Sequence, residues 1–178
     1  MTNRVLIIGG AGFVGSHLAD AYLARGYTVR VLDNLTSQVH GSDARRPDYL
    51  SPDVEFIPGD IRDKEQLTAA LRDVEIVSNQ AAVVGVGQSM YEISRYVEAN
   101  VLGTARLLDI LANSRHSVRK LLVASSMSIY GEGTYACPNH GTIFPQLRRA
   151  AQLEQQAWDV LCPHCGEATT PLPTSESR

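Results

Sequence analysis

The stretch Arg4-Val5-Leu6-Ile7-Ile8-Gly9-Gly10-Ala11-Gly12-Phe13-Val14-Gly15-Ser16-His17-Leu18 decides the fold. Arg4 to Ile8 is a short apolar run, rich in β-branched residues, that stops on two glycines, as a buried strand does. From Phe13 the period changes: Val14, Leu18, Ala21 and Tyr22 fall on one helical face, and Gly26 provides a C-terminal stop. Between strand and helix stands Gly9-x-x-Gly12-x-x-Gly15. The first glycine permits turn angles that a side chain resists, the second lets a diphosphate reach the main chain, and the third lets the helix pack closely. The helix start then offers N–H groups and a positive dipole end to phosphates.

Glycines at such spacing also serve ordinary turns, so the context matters. Thr28 to Leu32 reads as the next strand and ends on Asp33-Asn34, with Asp33 18 residues beyond Gly15. A carboxylate there accepts hydrogen bonds from both adenosine ribose hydroxyls and repels a 2′-phosphate, which favours NAD over NADP. Asp60-Ile61 follows a third strand, Val54 to Ile57, where a carboxylate can reach the adenine amino group. A turn or helix cap is the competing role for Asp60, although Asp63 is placed to cap a helix carrying Leu67, Ala70 and Leu71.

The rest of the first 130 residues continues the alternation. Thr36 to Asp53 is a long polar loop with room for a helical turn, and Glu75 to Ser78 is a fourth strand. One long helix is expected from about Ser89 to Asn113, with Val97, Val101, Ala105 and Leu108 as its buried stripe. Leu121 to Ala124 is a fifth strand, ending at Ser125-Ser126. Strands separated by helices imply βαβ units and a doubly wound parallel α/β sheet of the Rossmann type. After Gly131 the pattern stops; one helical patch, Gln146 to Val160, remains, and Thr169 to Ser177 looks linker-like.

Composition narrows the classes. Sixteen basic against 19 acidic residues, a net of −3, argue against a nucleic-acid or membrane surface as the main partner. The apolar start is too short for a signal peptide, and no apolar run approaches the ~18 residues of a membrane span. A cytoplasmic protein is expected. The three cysteines, Cys137, Cys162 and Cys165, are odd in number and do not suggest a disulfide framework.

With these motifs on the page, the chain resembles the NAD-dependent epimerase/dehydratases, extended short-chain dehydrogenase/reductases acting on nucleotide-activated sugars. The likeness covers residues 3 to 131. Besides the glycine turn it rests on Asp33-Asn34-Leu35, Gly59-Asp60-Ile61-Arg62-Asp63, Gln80-Ala81-Ala82, Gly87-Gln88-Ser89, Asn100-Val101-Leu102-Gly103-Thr104 and Ser125-Ser126-Met127-Ser128-Ile129-Tyr130-Gly131. The resemblance implies a cofactor site of Gly9, Gly12, Phe13, Val14, Gly15, Asp33, Asn34, Asp60, Ile61, Ala81, Ala82, Asn100 and Ser125. Asn100 would hold the loop after the fourth strand. Ser126 would bond the sugar hydroxyl being oxidised, and Val86, Gln88 and Ser89 would face the substrate. Read without the family, Asn100 bonds locally and Ser125-Ser126 is a strand-end turn.

Such enzymes lend a hydride to NAD while a tyrosine phenolate, its pKa lowered by a lysine four residues later, takes the hydroxyl proton. Here the chain departs from its family. The last lysine is Lys120, Tyr130 is followed at that spacing by Thr134, and Tyr135 by Asn139. The chain reads as the front half of a nucleotide-sugar epimerase: a Rossmann domain over 1–131, cut before its last strands, then a cysteine-rich segment over 132–168 and a tail over 169–178.

Cys137-Pro138-Asn139-His140 and Cys162-Pro163-His164-Cys165 form two short knuckles, each followed by a glycine. Cys137, His140, Cys162 and Cys165 suit a tetrahedral structural zinc, with His164 as a substitute ligand and three ordinary cysteines as the alternative. A subset of the family carries a similar insertion, which leans the resemblance towards epimerases of dTDP-deoxysugars such as dTDP-L-rhamnose. Dehydratase, reductase and a non-catalytic NAD-binding remnant remain as alternatives, and the resemblance leaves room for a homodimer in a full-length parent.

Overall fold

A strand placed at the centre of a parallel sheet must be apolar on both faces, and Val5-Leu6-Ile7-Ile8 meets that demand without a polar residue. In the computed structural model, which describes residues 3–42 and 45–177, β1 (Arg4–Ile8) is the middle strand of five. The others are β2 (Thr28–Asp33), β3 (Glu55–Pro58), β4 (Ile76–Asn79) and β5 (Lys120–Val123), all parallel, in the order β3-β2-β1-β4-β5. Side-chain alternation divides the core in two. Leu6 and Ile8 face a layer with Leu32, Val77, Leu67, Leu107 and Ile110; Val5 and Ile7 face one with Val29, Val31, Ala19, Leu50 and Val54. The first layer packs α3 (Lys64–Ala70) and α6 (Gly103–Asn113), and the second packs α1 (Phe13–Leu23).

Asp63 caps α3, accepting bonds from Glu65 N and Gln66 N at 2.9 and 3.0 Å, which satisfies two of the helix's orphan donors. The polar stretch after β2 contains a four-residue helix, α2 (Ser37–His40); residues 43 and 44 of that stretch lie outside the described residues. Strands β3, β4 and β5 each sit one residue away from their expected bounds.

The long helix expected over Ser89–Asn113 is not one helix. It is α4 (Val86–Ser89), a turn, α5 (Ile93–Tyr96), a π-helical segment Val97–Leu102, and then α6. A π turn carries more residues per revolution than an α turn, so a stripe extrapolated at constant α pitch loses phase across it. Gly103, Leu107 and Ile110 are the buried positions of α6, whereas Val97, Val101, Ala105 and Leu108 of the expected stripe are exposed. Gly103 is required where it is: a Cβ would lie 2.7 Å from Ile61 Cγ2.

The chain divides into two units, the first ending at Ala124 and the second starting at Ser125, so the serine motif Ser125–Gly131 falls in the second. The second unit contains β6 (Thr134–Cys137), β7 (Gly141–Ile143), α7 (Ala150–Glu154) and β8 (Thr170–Leu172) in an antiparallel sheet ordered β7-β6-β8. Two expectations are corrected here. The helical patch over 146–160 shrinks to the five residues of α7, because its apolar residues define no common face. The linker-like tail supplies β8, tied by Thr134 N donating to Thr174 Oγ1 at 3.0 Å. Among the described residues no helix is long and apolar enough to cross a membrane.

The phase of α6 has a measurable consequence. Leu107→Ala should destabilise the chain by about 2–5 kcal/mol, as buried leucine truncations do, while Leu108→Ala should change stability by less than about 1 kcal/mol. Urea unfolding of both variants checks this, and equal losses would contradict the described register.

Candidate functional site: a cleft at the strand ends and a cysteine cluster

The glycine turn is shaped by main-chain contact. Gly9 has φ +74°, and a Cβ there would stand 2.7 Å from Ala81 N. At Gly15 a Cβ would strike the Gly9 carbonyl oxygen and lie 2.6 Å from Gly10 Cα, so this glycine lets the helix press on the turn itself. Gly10 packs against the Val31 side chain with equally little room, a role the sequence reading missed. Gly12 differs: the nearest atom to its added Cβ is 3.4 Å away, and the residue lines a cleft. Packing therefore does not account for a bare backbone at Gly12, whereas a ligand resting on the turn would. Phe13 and Val14 are exposed at the start of α1, with the Phe13 ring edge-on to His17.

The same cleft is lined by Asp33, Asn34, Asp60, Ile61, Ala81 and Ala82 together with Gly9. Asp33, the last residue of β2, is 8% exposed; its Oδ2 accepts from Ala11 N at 3.0 Å and its Oδ1 from Leu35 N at 2.9 Å. The second bond holds Leu35 at φ +50°, a conformation rare for a branched residue. The Tyr49 hydroxyl donates to Ala11 O at 2.6 Å, and burial followed by the Asp33 charge pushes its phenol above the usual range.

Asn34 Nδ2 donates to Asp60 Oδ2 at 2.9 Å, and Arg62 clasps the same carboxylate through Nε and a terminal nitrogen at 3.0 and 2.8 Å. Burial alone would raise the Asp60 pKa. The bonds from the Arg62 side chain, Asn34 and the Arg62 backbone outweigh it, with the Arg62 charge, and hold Asp60 at about 2. Ile61 is 6% exposed and belongs mainly to the core. Arg62 and His40, also in the cleft wall, and Tyr49, which bonds Ala11 of the glycine turn, were not anticipated. Tyr49 and His40 act through contacts between segments that no local pattern announces, whereas Arg62 reaches back only two residues to Asp60.

After β4 the chain runs outside any helix or strand through Ala81 to Val83. Asn100 pins it twice: its Oδ1 accepts from Val83 N at 2.8 Å and its Nδ2 donates to Val83 O at 3.0 Å. Asn100 lies within the π segment, where such irregularities often accompany function. Of the expected substrate residues, Val86 is exposed and Ser89 Oγ donates to Val86 O at 2.7 Å. Gln88 is engaged with Gln38, Glu92 and the Tyr96 hydroxyl.

In the second unit Ser125 and Ser126 are exposed, and Ser126 Oγ accepts from Ser128 N at 3.1 Å, capping a 3-10 turn over Met127–Tyr130. Cys137, His140, Cys162 and Cys165 converge there, their ligand atoms all within 4.8 Å of one another. Cys137 Sγ lies 3.7 Å from Cys165 Sγ, and His140 Nδ1 lies 3.6 Å from Cys137 Sγ and Cys162 Sγ. A tetrahedral zinc with ordinary bond lengths sets edges of about 3.8 Å between sulfurs and about 3.6 Å from sulfur to nitrogen. The donor set therefore fits that metal. His164 stays outside, its ring 5.2 Å from that of His140. Burial pushes the Cys137 thiol up; at Cys162 the backbone N–H groups of His164 and Cys165 outweigh burial and pull it down.

The sequence model of the NAD dependent epimerase/dehydratase family matches residues 5–150. A dTDP-L-rhamnose 4-epimerase of Burkholderia thailandensis is 36% identical over 97% of this chain and 49% of its own length. A UDP-glucose 4-epimerase of Bos taurus is 32% identical over 90% and 49%. Among solved structures, a UDP-glucose 4-epimerase from Brucella ovis in complex with NAD superposes with TM-score 0.60 at 35% identity, covering 74% of this chain and 38% of that one. The dTDP-glucose 4,6-dehydratase DesIV from Streptomyces venezuelae, with NAD and TYD bound, gives 0.61 at 35%, covering 72% and 41%. The chain spans about half the length of these two curated relatives.

The Asp60 clasp predicts a pH effect. Its folded pKa is about 2 against an ordinary 3.8, so its contribution is present above 3.8 and fades as pH falls towards 2. Asp60→Asn should lower the melting temperature at pH 7, with the gap to the unmodified chain closing between pH 4 and pH 2. A gap that stays constant over that range would contradict the clasp.

Proposed function

The chain belongs to the NAD dependent epimerase/dehydratase family, and on that premise we propose that it holds NAD in the cleft and serves the 4-epimerisation of a nucleotide sugar. The observation carrying this reading is the bare backbone at Gly12, in a cleft also lined by the buried Asp33 at the end of β2 and by Ala81–Val83. In this reading the glycine turn receives the diphosphate, and Asp33 accepts the ribose hydroxyls. Asp60 lies towards the adenine, Ala81 and Ala82 border the cofactor, and Asn100 keeps that border in place. When bound, NAD accepts a hydride from the sugar carbinol and returns it to the opposite face. Ser126 bonds the hydroxyl that reacts, Ser125 stands next to it in sequence on the nicotinamide side, and Val86, Gln88 and Ser89 meet the sugar nucleotide.

None of the seven tyrosines has a lysine four residues later, so Ser126 has no lysine-tuned phenol to work with among these residues. A dTDP-deoxysugar such as dTDP-L-rhamnose is the favoured substrate class, supported by a relative of that name matched along 97% of the chain. The likeness to a dTDP-glucose dehydratase keeps dehydration as the second reading. We further propose one structural zinc on Cys137, His140, Cys162 and Cys165. The apolar cluster around the buried cysteines is Ile143 and half-buried Tyr135, with Pro145 and Val160 the other buried apolar residues described there, a small core that a metal staple would order.

Calorimetric titration should find NAD bound more tightly than NADP. Asp33→Ala should weaken NAD by about 10–100-fold, the worth of hydrogen bonds to a charged group, and narrow the gap; equal affinities in the unmodified chain would defeat the assignment. In the same preparation, dTDP- and UDP-sugars with NAD should yield no 4-epimer at an enzymatic rate, because a missing positioned base costs about 10²–10⁴. Turnover abolished by Ser126→Ala would reveal a base elsewhere in the chain.

Metal analysis should return one zinc per chain, and Cys162→Ser should lose it. Less than a tenth of an equivalent in carefully purified protein would sink the zinc reading.

A further inference from the structure

The wall of the cleft contains an ionisable group that the proposed function does not use. His40, the last residue of α2, has a side chain only 6% exposed, with Nε2 3.7 Å from Asp33 Oδ1. That separation makes an ion pair when the imidazole is protonated and is too long for a hydrogen bond. Asp33 is already fixed by Ala11 N and Leu35 N, so the histidine is not needed to hold the carboxylate in place.

We propose that His40 is a specificity-determining residue: its charge state sets how strongly Asp33 excludes a dinucleotide bearing a 2′-phosphate. This rests on the reading of the cleft as the NAD site. With His40 neutral, Asp33 presents an uncompensated negative charge where the ribose 2′-position would lie. With His40 protonated, a positive charge 3.7 Å away cancels most of that field, and the repulsion that rejects a 2′-phosphate falls. Neutral ribose hydroxyls, which only donate to Asp33, respond far less. The segments around His40 set the background. Asp60 and Arg62 come from the loop before α3, and Arg95 from α5, all lining the same cleft. Arg45, Arg46, Asp48 and Tyr49 line a hollow on the other side of His40. Asp60 and Arg62 neutralise each other, and Arg95 is paired with Glu92, so within the cleft the charge state of His40 is the one that bears most directly on Asp33.

The test is the ratio of NADP to NAD dissociation constants for the full chain, measured by calorimetry from pH 8 to pH 5.5. The 2′-phosphate itself gains a proton near pH 6, so the reading is the difference between the unmodified chain and His40→Gln. His40→Phe, uncharged and filling the same space, repeats the test should the glutamine variant fold poorly. Discrimination should fall about tenfold more on acidification in the unmodified chain than in either variant, the scale expected of one opposite charge at this distance. In an Asp33→Asn background the His40 substitutions should leave the pH profile unchanged, since the histidine acts through the carboxylate. Profiles within twofold of each other in the Asp33 chain would overturn the inference. So would a His40 effect that survives in Asp33→Asn, which would mean direct contact with the cofactor. If NAD fails to bind at any pH, the cleft assignment itself falls, a result distinct from NAD binding with a discrimination indifferent to His40.

Discussion

Gly9 and Gly15 sit where main chain meets main chain, and no side chain fits between. The Gly9 turn presses against Ala81 N on one side, while the start of α1 presses on the Gly9 carbonyl on the other. This double contact brings the ends of β1 and β4 and the start of α1 within a few ångströms of one another. Ala11 N, directed by the same turn, reaches the Asp33 carboxylate at the end of β2. The ends of β1 and β4 and the helix start are thus registered by backbone atoms, and one buried carboxylate ties in the end of β2.

Electrostatics then divides the cleft into two acidic positions of different character. Asp60 is saturated: Arg62 and Asn34 take its oxygens and hold it ionised far below neutrality. Asp33 is nearly as buried as the core around it, yet its bonds come from uncharged backbone N–H groups, so its charge is solvated without being cancelled. A carboxylate in that condition discriminates between neutral hydroxyls and an anionic substituent, which a fully paired one does far less well. Structural and recognition work are separated between two aspartates that look alike in the sequence.

What could be read from the sequence was whatever is written locally. The apolar run Val5 to Ile8, the glycine spacing, the Asp63 cap and the paired cysteine knuckles each concern residues close in the chain, and the structure realises each as an element or a cluster. The interruption of the Ser89–Asn113 segment was not legible, because a π turn leaves no compositional mark and the apolar residues there permit more than one phase. Tyr49 reaching Ala11 and His40 reaching Asp33 were also invisible, since both depend on how a polar loop folds back over the turn. The tail after Thr169 was misread for a similar reason. Its strand exists because β6 offers an edge to pair with, and the three residues Thr170–Leu172 have little β character of their own.

The π segment also constrains how this stretch of chain can change length over evolutionary time. Between the Val83 anchor and the buried face of α6, the helix carries a surplus residue relative to α pitch, and Asn100 sits inside it. Deleting one residue there would restore the ordinary winding and leave the turns on either side close to their present places, because the wide turn is where the surplus residue is absorbed. Arg95 and Tyr96 would keep the bonds they now make and Leu107 and Ile110 their places in the core, while the clamp of Asn100 on Val83, made from within the wide turn, would be lost. A one-residue deletion within Val97–Leu102 is therefore a change that the core can absorb and the loop after β4 cannot.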